Sequence, residues 1–454
     1  MDETPGAVAA PADAARAAST ALLTDHYELT MLQAALRGGA AHRRSVFEVF
    51  TRRLPEGRRY GVVAGTGRVL DAVEDFRFDR ERLEFLTRTG VIDETTAGWL
   101  ADYRFSGSIH GYPEGEVYFP GSPIMVVEGS FAEAVLLETV ILSILNHDSA
   151  IAAAASRMTH AAAGRPVIEM GSRRTHEQAA VAAARAAYVA GFGPTSNLEA
   201  GYRYGIPTAG TSAHAFTLLH DTERDAFTAQ VTALGRGTTL LVDTYDVREA
   251  VRTAVEVAGP DLGAVRIDSG DLLVFAHRVR RQLDELGARD TRIVVTSDLD
   301  EYAIAALAAA PVDRYGVGTA LVTGSGHPTC SMVYKLVARA ASDDPDAPLL
   351  PVAKLSRNKP SVGGRKWAYR RPDADGVAEA EVVGAVPPPP ELAAEVERHG
   401  LLVPLVRDGK VVGREPLQAA RERHRRAFDR LPMSAAQLSR GEPVIPTEYH
   451  LGSE

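Results

Sequence analysis

Between Pro207 and Phe216 the chain reads Pro-Thr-Ala-Gly-Thr-Ser-Ala-His-Ala-Phe. Gly210 and Thr211 break an extended run, and His214 follows on a stretch of small residues. An imidazole so placed can act as base, metal ligand or phosphoryl acceptor at neutral pH. A lone histidine can equally be a core residue at the start of a helix. Its companions bear on the choice. Arg173 and Arg174 follow the apolar run 166–170, Asp243 follows 238–242, and Asp268 follows 264–267. Ser297 and Asp298 follow 292–295, and Gly318 and Thr319 follow 314–317. Each aspartate alone could be a helix cap, but six polar run-ends in register are more than stability requires. Asp243, Asp268 and Asp298 offer hard oxygen ligands for a sugar diol or Mg²⁺. Gly316-Val-Gly318-Thr319 offers backbone N–H groups to a phosphate, and the arginines can hold further phosphates. The inventory suits a ligand with a ribose ring and phosphates at both ends, and so phosphoribosyl or other nucleotide chemistry.

Elements that would position these groups alternate along the chain. Apolar runs 22 to 40 residues apart, with helical stretches between, predict a parallel sheet or a (β/α) barrel, whose reactive groups collect at the C-terminal strand ends. Upstream, Thr24 or Asp25 can cap a helix carrying Leu29, Leu32, Ala35 and Leu36, with Tyr27 in its first turn. A strand is expected over 45–51, with Phe47 and Val49 on one face and Val46, Glu48 and Phe50 on the other. Helices are expected near 68–76 and 79–88, and short strands with turns over 104–130. A helix over 131–145, Asn146-His147-Asp148, and an Ala-rich helix over 149–163 come next. The expected limits are a disordered tail at 1–19, an N-terminal α/β domain at 20–130, the barrel at 131–340, and a C-terminal segment at 341–454 with a phosphate-binding loop and accessory helices. Pro387 to Pro390 reads as a rigid spacer, and the Arg-rich helix over 414–430 as a solvated face.

Composition bounds the class. With 454 residues, 45% hydrophobic and 24% charged, the chain has the make-up of a soluble globular protein of two or three domains or one extended barrel. A net charge of -9 argues against a general nucleic-acid binder. Cys330 is alone, so no disulfide framework or Cys-based metal site can form within the chain, and a reducing, cytoplasmic setting fits. No secretory signal precedes residue 20, and the most apolar run, 134–145, is too short to span a bilayer and contains Glu138. No membrane partner is expected. Basic residues are overwhelmingly Arg; of five Lys, four (Lys335, Lys354, Lys359 and Lys366) fall within 32 residues. Lys is a compact charge suited to phosphate.

Several ordered motifs together resemble the nicotinate phosphoribosyltransferases of the type II phosphoribosyltransferase fold, over roughly residues 21–370. They are Thr24-Asp-His-Tyr-Glu-Leu-Thr-Met31, Phe47-Glu-Val-Phe50, Glu169-Met-Gly-Ser-Arg-Arg174, Thr195-Ser-Asn197, Gly210-Thr-Ser-Ala-His214, Val242-Asp-Thr-Tyr-Asp246, Arg266-Ile-Asp-Ser-Gly-Asp271 and Gly316-Val-Gly-Thr319. The resemblance implies an irregular (β/α) barrel plus a mixed α/β domain built from N-terminal and C-terminal segments. It implies conversion of nicotinate and 5-phosphoribosyl 1-diphosphate to nicotinate mononucleotide and diphosphate in NAD salvage, with Mg²⁺, and with ATP hydrolysis coupled through a phosphohistidine at His214. It implies a homodimer in which Tyr27 stacks on the pyridine ring from the partner subunit. Arg173 and Arg266 match ligand-binding arginines, Asp243 and Asp268 the acidic groups around ribose and Mg²⁺, and Gly318 and Thr319 the 5′-phosphate loop. Thr211, Ser297 and Asp298 fall within or beside these motifs as substrate-binding candidates. Lys335, Lys354, Lys359 and Ser361 resemble residues that hold diphosphate or ATP phosphates. Asn197 stands where the nicotinamide enzyme carries Asp; Asn can donate to a carboxylate that Asp would repel. Met170 stands where relatives have Phe, and can itself pack on an aromatic face. A quinolinate-using relative would not need His214 phosphorylated, and a non-catalytic nucleotide-binding barrel would not need the full acidic set.

Overall fold

The computed structural model describes residues 19–354 and 362–450. The expected tail at 1–19 falls outside this range except for Ser19, as do Lys359 and Ser361. The described chain forms two compact units. Among the described residues, one is Ala154–Gly326; the other joins residues 19–153 to the described residues from 327 to 450. The division falls inside a 24-residue helix, Glu138–Ala161.

The unit Ala154–Gly326 is built on five short strands: β1 (Val167–Glu169), β2 (Thr239–Leu241), β3 (Ala264–Ile267), β4 (Arg292–Val295) and β5 (Arg314–Val317). They pair in parallel in the order β1-β5-β4-β3-β2. Apolar, partly β-branched runs buried on both faces suit a parallel sheet covered by helices. Single parallel bridges extend the pairing beyond β1, from Glu169 to Thr195 and from Thr195 to Thr208. No ladder among the described residues joins the Thr208 segment to β2. Backbone pairing among the described residues therefore forms an open arc and does not close into a barrel.

Helices return the chain between strands, and their caps explain how the site aspartates stay available. Asp246 caps Val247–Ala258 through the Glu249 N–H, Asp271 caps Leu272–Glu285 through Val274, and Asp300 caps Glu301–Ala306. Because these residues supply the capping oxygen, Asp243, Asp268 and Asp298 are released from that role. Val247–Ala258 buries Ala250, Val251, Ala254, Val255 and Ala258, one apolar stripe at helical spacing.

The other unit is largely antiparallel. Its seven-stranded sheet runs Leu349–Pro351, Met332–Ala340, Arg44–Thr51, Met125–Ser130, Ser108–Gly111, Val403–Arg407 and Lys410–Val411. A second sheet pairs Lys366–Pro372, Ala378–Ala385 and Thr447–His450. In the strand Arg44–Thr51, Phe47 and Val49 enter one apolar cluster and Val46 another. This is the expected alternation, with both faces covered.

Two expectations give way. The strand Met332–Ala340 pairs antiparallel with Arg44–Thr51, Ser45 opposite Arg339, so the compact units divide at 153/154 and 326/327 and not at 130 and 340. The helical break falls after Phe131–Val135, and Glu138–Ala161 runs straight through Asn146-His147-Asp148. Those polar residues are satisfied in place. Arg68 Nη1 donates to both Asp148 oxygens at 2.7 and 2.9 Å, and Asn146 Oδ1 accepts from the Met332 N–H at 2.8 Å. Burial pushes the Asp148 carboxyl up, but the Arg68 charge and His147 outweigh it and hold it below the ordinary range. Phe131–Ala161 is long and apolar enough to cross a membrane, yet 67% of its most apolar window is buried inside the protein.

Candidate active site

The C-terminal ends of β2, β3 and β4 supply Asp243, Arg266, Asp268 and Thr296, and the segment after Thr208 brings Thr211 and His214 into the same network. Arg266 is buried at the end of β3 and directs three donors. Nε donates to Thr296 Oγ1 at 2.8 Å, Nη1 to Thr211 Oγ1 at 2.8 Å, and Nη2 to Asp268 Oδ1 at 2.7 Å. Thr296 in turn donates to Asp268. Burial pushes the Asp268 carboxyl up; the bonds from Thr296 and Arg266, with the Arg266 and His214 charges, outweigh it and hold it below the usual carboxylate range. Asp268 is thus ionised at neutral pH.

Asp243 braces the same loop. Its Oδ2 accepts from the Asp268 N–H at 2.9 Å and from Ser269 Oγ at 2.7 Å. Its Oδ1 is buried and accepts no hydrogen bond among the described residues. A buried carboxylate oxygen without a donor is costly unless something completes it. His214 opens the short helix His214–Leu218 beside it. Its Nε2 lies 3.9 Å from both Asp243 Oδ1 and Asp268 Oδ2, and its Nδ1 lies 3.1 Å from Thr244 Oγ1. The ring is half-buried, so it is a positioned group within reach of solvent and not a core histidine.

Adjacent to this network is a cavity of 250 Å³ lined by Met170, Arg173, Arg174, Arg266, Asp268, Thr296, Ser297, Asp298, Gly316, Gly318 and Thr319. The glycine at 316 is required by packing: a Cβ there would lie 2.5 Å from Thr296 Cγ2 and 2.8 Å from Met170 Sδ. Ser297 holds φ at +140°, an uncommon backbone for a non-glycine residue and a feature that clusters at functional sites. Behind Met170, the buried Glu169 accepts from Thr195 Oγ1 and from the Gly171 N–H, which shapes the turn leading to Arg173. Burial raises the Glu169 carboxyl despite those bonds. Asn197 caps the helix Leu198–Tyr204 with Oδ1, 2.9 Å from the Ala200 N–H, while its Nδ2 donates to Ser172 Oγ at 3.0 Å.

The remaining sequence-predicted residues lie in the antiparallel unit. Tyr27 is on the helix His26–Gly38 and is partly exposed; burial, then Glu138 and Glu28, push its phenol above the ordinary value. Lys335 Nζ lies 3.9 Å from Glu138 Oε1, and Lys354 is exposed. Lys366, the fourth member of the lysine cluster, is spent internally: it is buried and donates to Glu48 Oε2 at 2.8 Å. Thr244 and Thr296 escaped the sequence reading, because a threonine after an apolar run carries no signal separating it from any strand-end residue. Their positions directly after Asp243 and before Ser297 were the available clue.

A buried arginine tied to an aspartate and two threonines, a second aspartate with an unanswered oxygen, and a histidine within 3.9 Å of both aspartates define an α/β enzyme site for an anionic, hydroxyl-bearing substrate. Comparison with known proteins agrees. Residues 22–146 match the nicotinate phosphoribosyltransferase (NAPRTase) N-terminal domain. The chain is 58% identical over 435 residues to nicotinate phosphoribosyltransferase pncB1 of Mycobacterium tuberculosis, covering 94% of both chains. It is 38% identical over 363 residues to nicotinate phosphoribosyltransferase of Bacillus subtilis, covering 78% of this chain and 73% of that one. The crystal structure of human nicotinic acid phosphoribosyltransferase superposes with a TM-score of 0.79 at 25% identity, covering 94% of this chain and 97% of that one. The chain belongs to the nicotinate phosphoribosyltransferase family.

Proposed function

We propose that the enzyme transfers the phosphoribosyl group of 5-phosphoribosyl 1-diphosphate to nicotinate, releasing diphosphate and forming nicotinate mononucleotide in NAD salvage. The observation that carries this reading is His214 Nε2 lying 3.9 Å from each of Asp243 and Asp268, beside an Arg-lined cavity at the strand ends. The nicotinate nitrogen attacks C1 of the ribose as the bond to diphosphate breaks. Asp268, kept ionised by Arg266 and Thr296, would stabilise the positive charge developing on the ribosyl ring. Arg173 and Arg174 receive phosphate oxygens, as do the backbone groups of Gly318 and Thr319. Asn197, with Oδ1 committed to its helix, presents only an amide donor, which favours the carboxylate of nicotinate over a carboxamide. Thr211, Ser297 and Asp298 complete the wall around the ribose. Tyr27 stacks on the pyridine ring from the partner subunit of a homodimer, and Lys335, Lys354, Lys359 and Ser361 hold diphosphate or ATP phosphates. The arc of strands closes, by side-chain packing, into an irregular barrel. The buried lone Cys330 suits a cytoplasmic enzyme.

Mg²⁺ fits this donor set. Among the described residues no group of three His, Cys, Asp or Glu side chains forms a metal cage. Asp243 Oδ1 and Asp268 Oδ2 would supply one or two carboxylates and the substrate phosphates the rest, a usual arrangement for Mg²⁺. The ion would neutralise charge on the departing diphosphate. ATP is coupled through His214: an imidazole nitrogen takes the γ-phosphoryl group, ADP leaves, and water later releases phosphate. The phosphoryl group adds about two negative charges beside the cavity, which draws in cationic side chains and tightens the substrate site.

Purified protein with 5-phosphoribosyl 1-diphosphate, Mg²⁺ and either nicotinate or nicotinamide, with and without ATP, tests the reading by chromatography of products. Nicotinate mononucleotide is expected, in greater amount with ATP, and His214→Ala should fall to the ATP-free level. Absence of product from nicotinate overturns the activity; unchanged ATP stimulation in His214→Ala overturns the coupling.

A further inference from the structure

The Arg-rich C-terminal helix is more than a solvated face. The helix Leu417–Asp429 buries Ala420, His424 and Ala427, which fixes its inward side. Arg423, Arg426 and Arg430, at i, i+3 and i+7, therefore share one stripe. All three line a cavity of 460 Å³, together with Arg370, Arg398, Glu116 and an apolar floor that includes Leu401 and Ala427. Five guanidinium groups meet one carboxylate there, in a chain whose net charge is -9.

The charges are not equally satisfied. Arg370 is held by Glu116 at 2.5 Å and Glu381 at 2.8 Å, and Glu116 is thereby neutralised. Arg423 forms a two-pronged pair with Glu415, both bonds at 2.6 Å. Arg426 reaches Glu422 only at 4.0 Å. Arg398 and Arg430 form no ion pair among the described residues, and Arg370 Nε is buried without an acceptor. Three guanidiniums thus converge without a close carboxylate on a concavity of the size that holds small ligands. A planar fork binds carboxylate or phosphate; three of them converging favour an anion carrying several charges on linked phosphates.

We propose that this cavity binds a polyphosphate chain, free or as part of a nucleotide, at a site separate from the strand-end network. Calorimetric titration of the full-length protein with inorganic triphosphate, and separately with ATP, tests it. The variant carrying Arg398→Ala, Arg426→Ala and Arg430→Ala is compared with wild type. The wild type should show two classes of site and the triple variant should lose one, while turnover at saturating substrate stays within about twofold. Arg430→Glu alone, an exposed substitution that leaves the buried face intact, should weaken that class about tenfold. Equal loss for both ligands points to the phosphate chain as the recognised group; loss for ATP alone points to a nucleotide. Identical isotherms for wild type and both variants would overturn the proposal.

Discussion

The strand-end network and the arginine-lined cavity both combine guanidinium with carboxylate, but they distribute charge differently. In the first, Arg266 is locked to Asp268 and two threonines, and the unanswered atom is an acceptor, Asp243 Oδ1. In the second, Arg370 and Arg423 are locked to glutamates, and the unanswered groups are donors on Arg398, Arg426 and Arg430. Paired charges in both places hold the walls. The unpaired ones differ in sign: a carboxylate oxygen at Asp243 attracts positive charge, and the guanidiniums at Arg398, Arg426 and Arg430 attract negative charge.

The comparison can be broken most decisively at its paired charges. Arg370→Ala leaves Glu381 buried with only Tyr112 and Ser122 as donors, and should cost about 3–5 kcal/mol of stability in a denaturant titration. A loss below about 1 kcal/mol would show that the pair does not hold the wall. Asp243→Asn keeps the shape but removes the charge, and should lower kcat/KM by about 10²–10³, the scale of one preorganised electrostatic contact, with little change in Tm. Unchanged kcat/KM would remove Asp243 from the reaction. For Asp268 the folded carboxyl lies below its ordinary value. Its stabilising contribution is then complete above the unfolded value and lost as pH falls through the folded one. Asp268→Asn should flatten the decline of stability below about pH 4; parallel acid curves for the two proteins contradict the shift. Asn197→Asp retains a good N-cap and should move the nicotinate-to-nicotinamide preference about tenfold toward nicotinamide, the order of one polar contact. An unchanged ratio of kcat/KM values refutes that role. Smallest of all, Arg430→Ala should alter Tm and turnover hardly at all, by under about 0.5 kcal/mol. A marked destabilisation would make it part of the wall and not a ligand group.

Much of the site was legible because period and punctuation are local. An apolar run of a few residues, then Gly, Asp, Ser or Thr, then a helical period predicts a strand, its end and the direction of the next helix. In a parallel sheet all such ends emerge on one edge. His214, Asp243, Asp268, Ser297 and Gly318 stand out from that pattern, whereas Arg266, inside its strand, enters only through the family resemblance. Sequence alone likewise assigns Phe47 and Val49 to one face of the strand Arg44–Thr51 and Val46 to the other; that both faces are covered is a result of packing.

What tertiary structure decided was which of these residues touch. Thr296 bridges Arg266 and Asp268 only because β4 lies beside β3, an order of strands that no local pattern encodes. The helix continued through Asn146-His147-Asp148 because Arg68 and Met332, distant in sequence, satisfy those polar groups. Lys366, one of a clustered set of lysines, was drawn into the core by Glu48, 318 positions away. The same holds for the Arg-rich helix: its period was readable, but whether Arg426 and Arg430 met solvent or a cavity depended on Arg370 and Arg398 arriving from a strand and another helix. Local propensity sets the elements, whereas the pairing of charges is set by long-range packing, where burial makes each unmatched group costly enough to choose its partner.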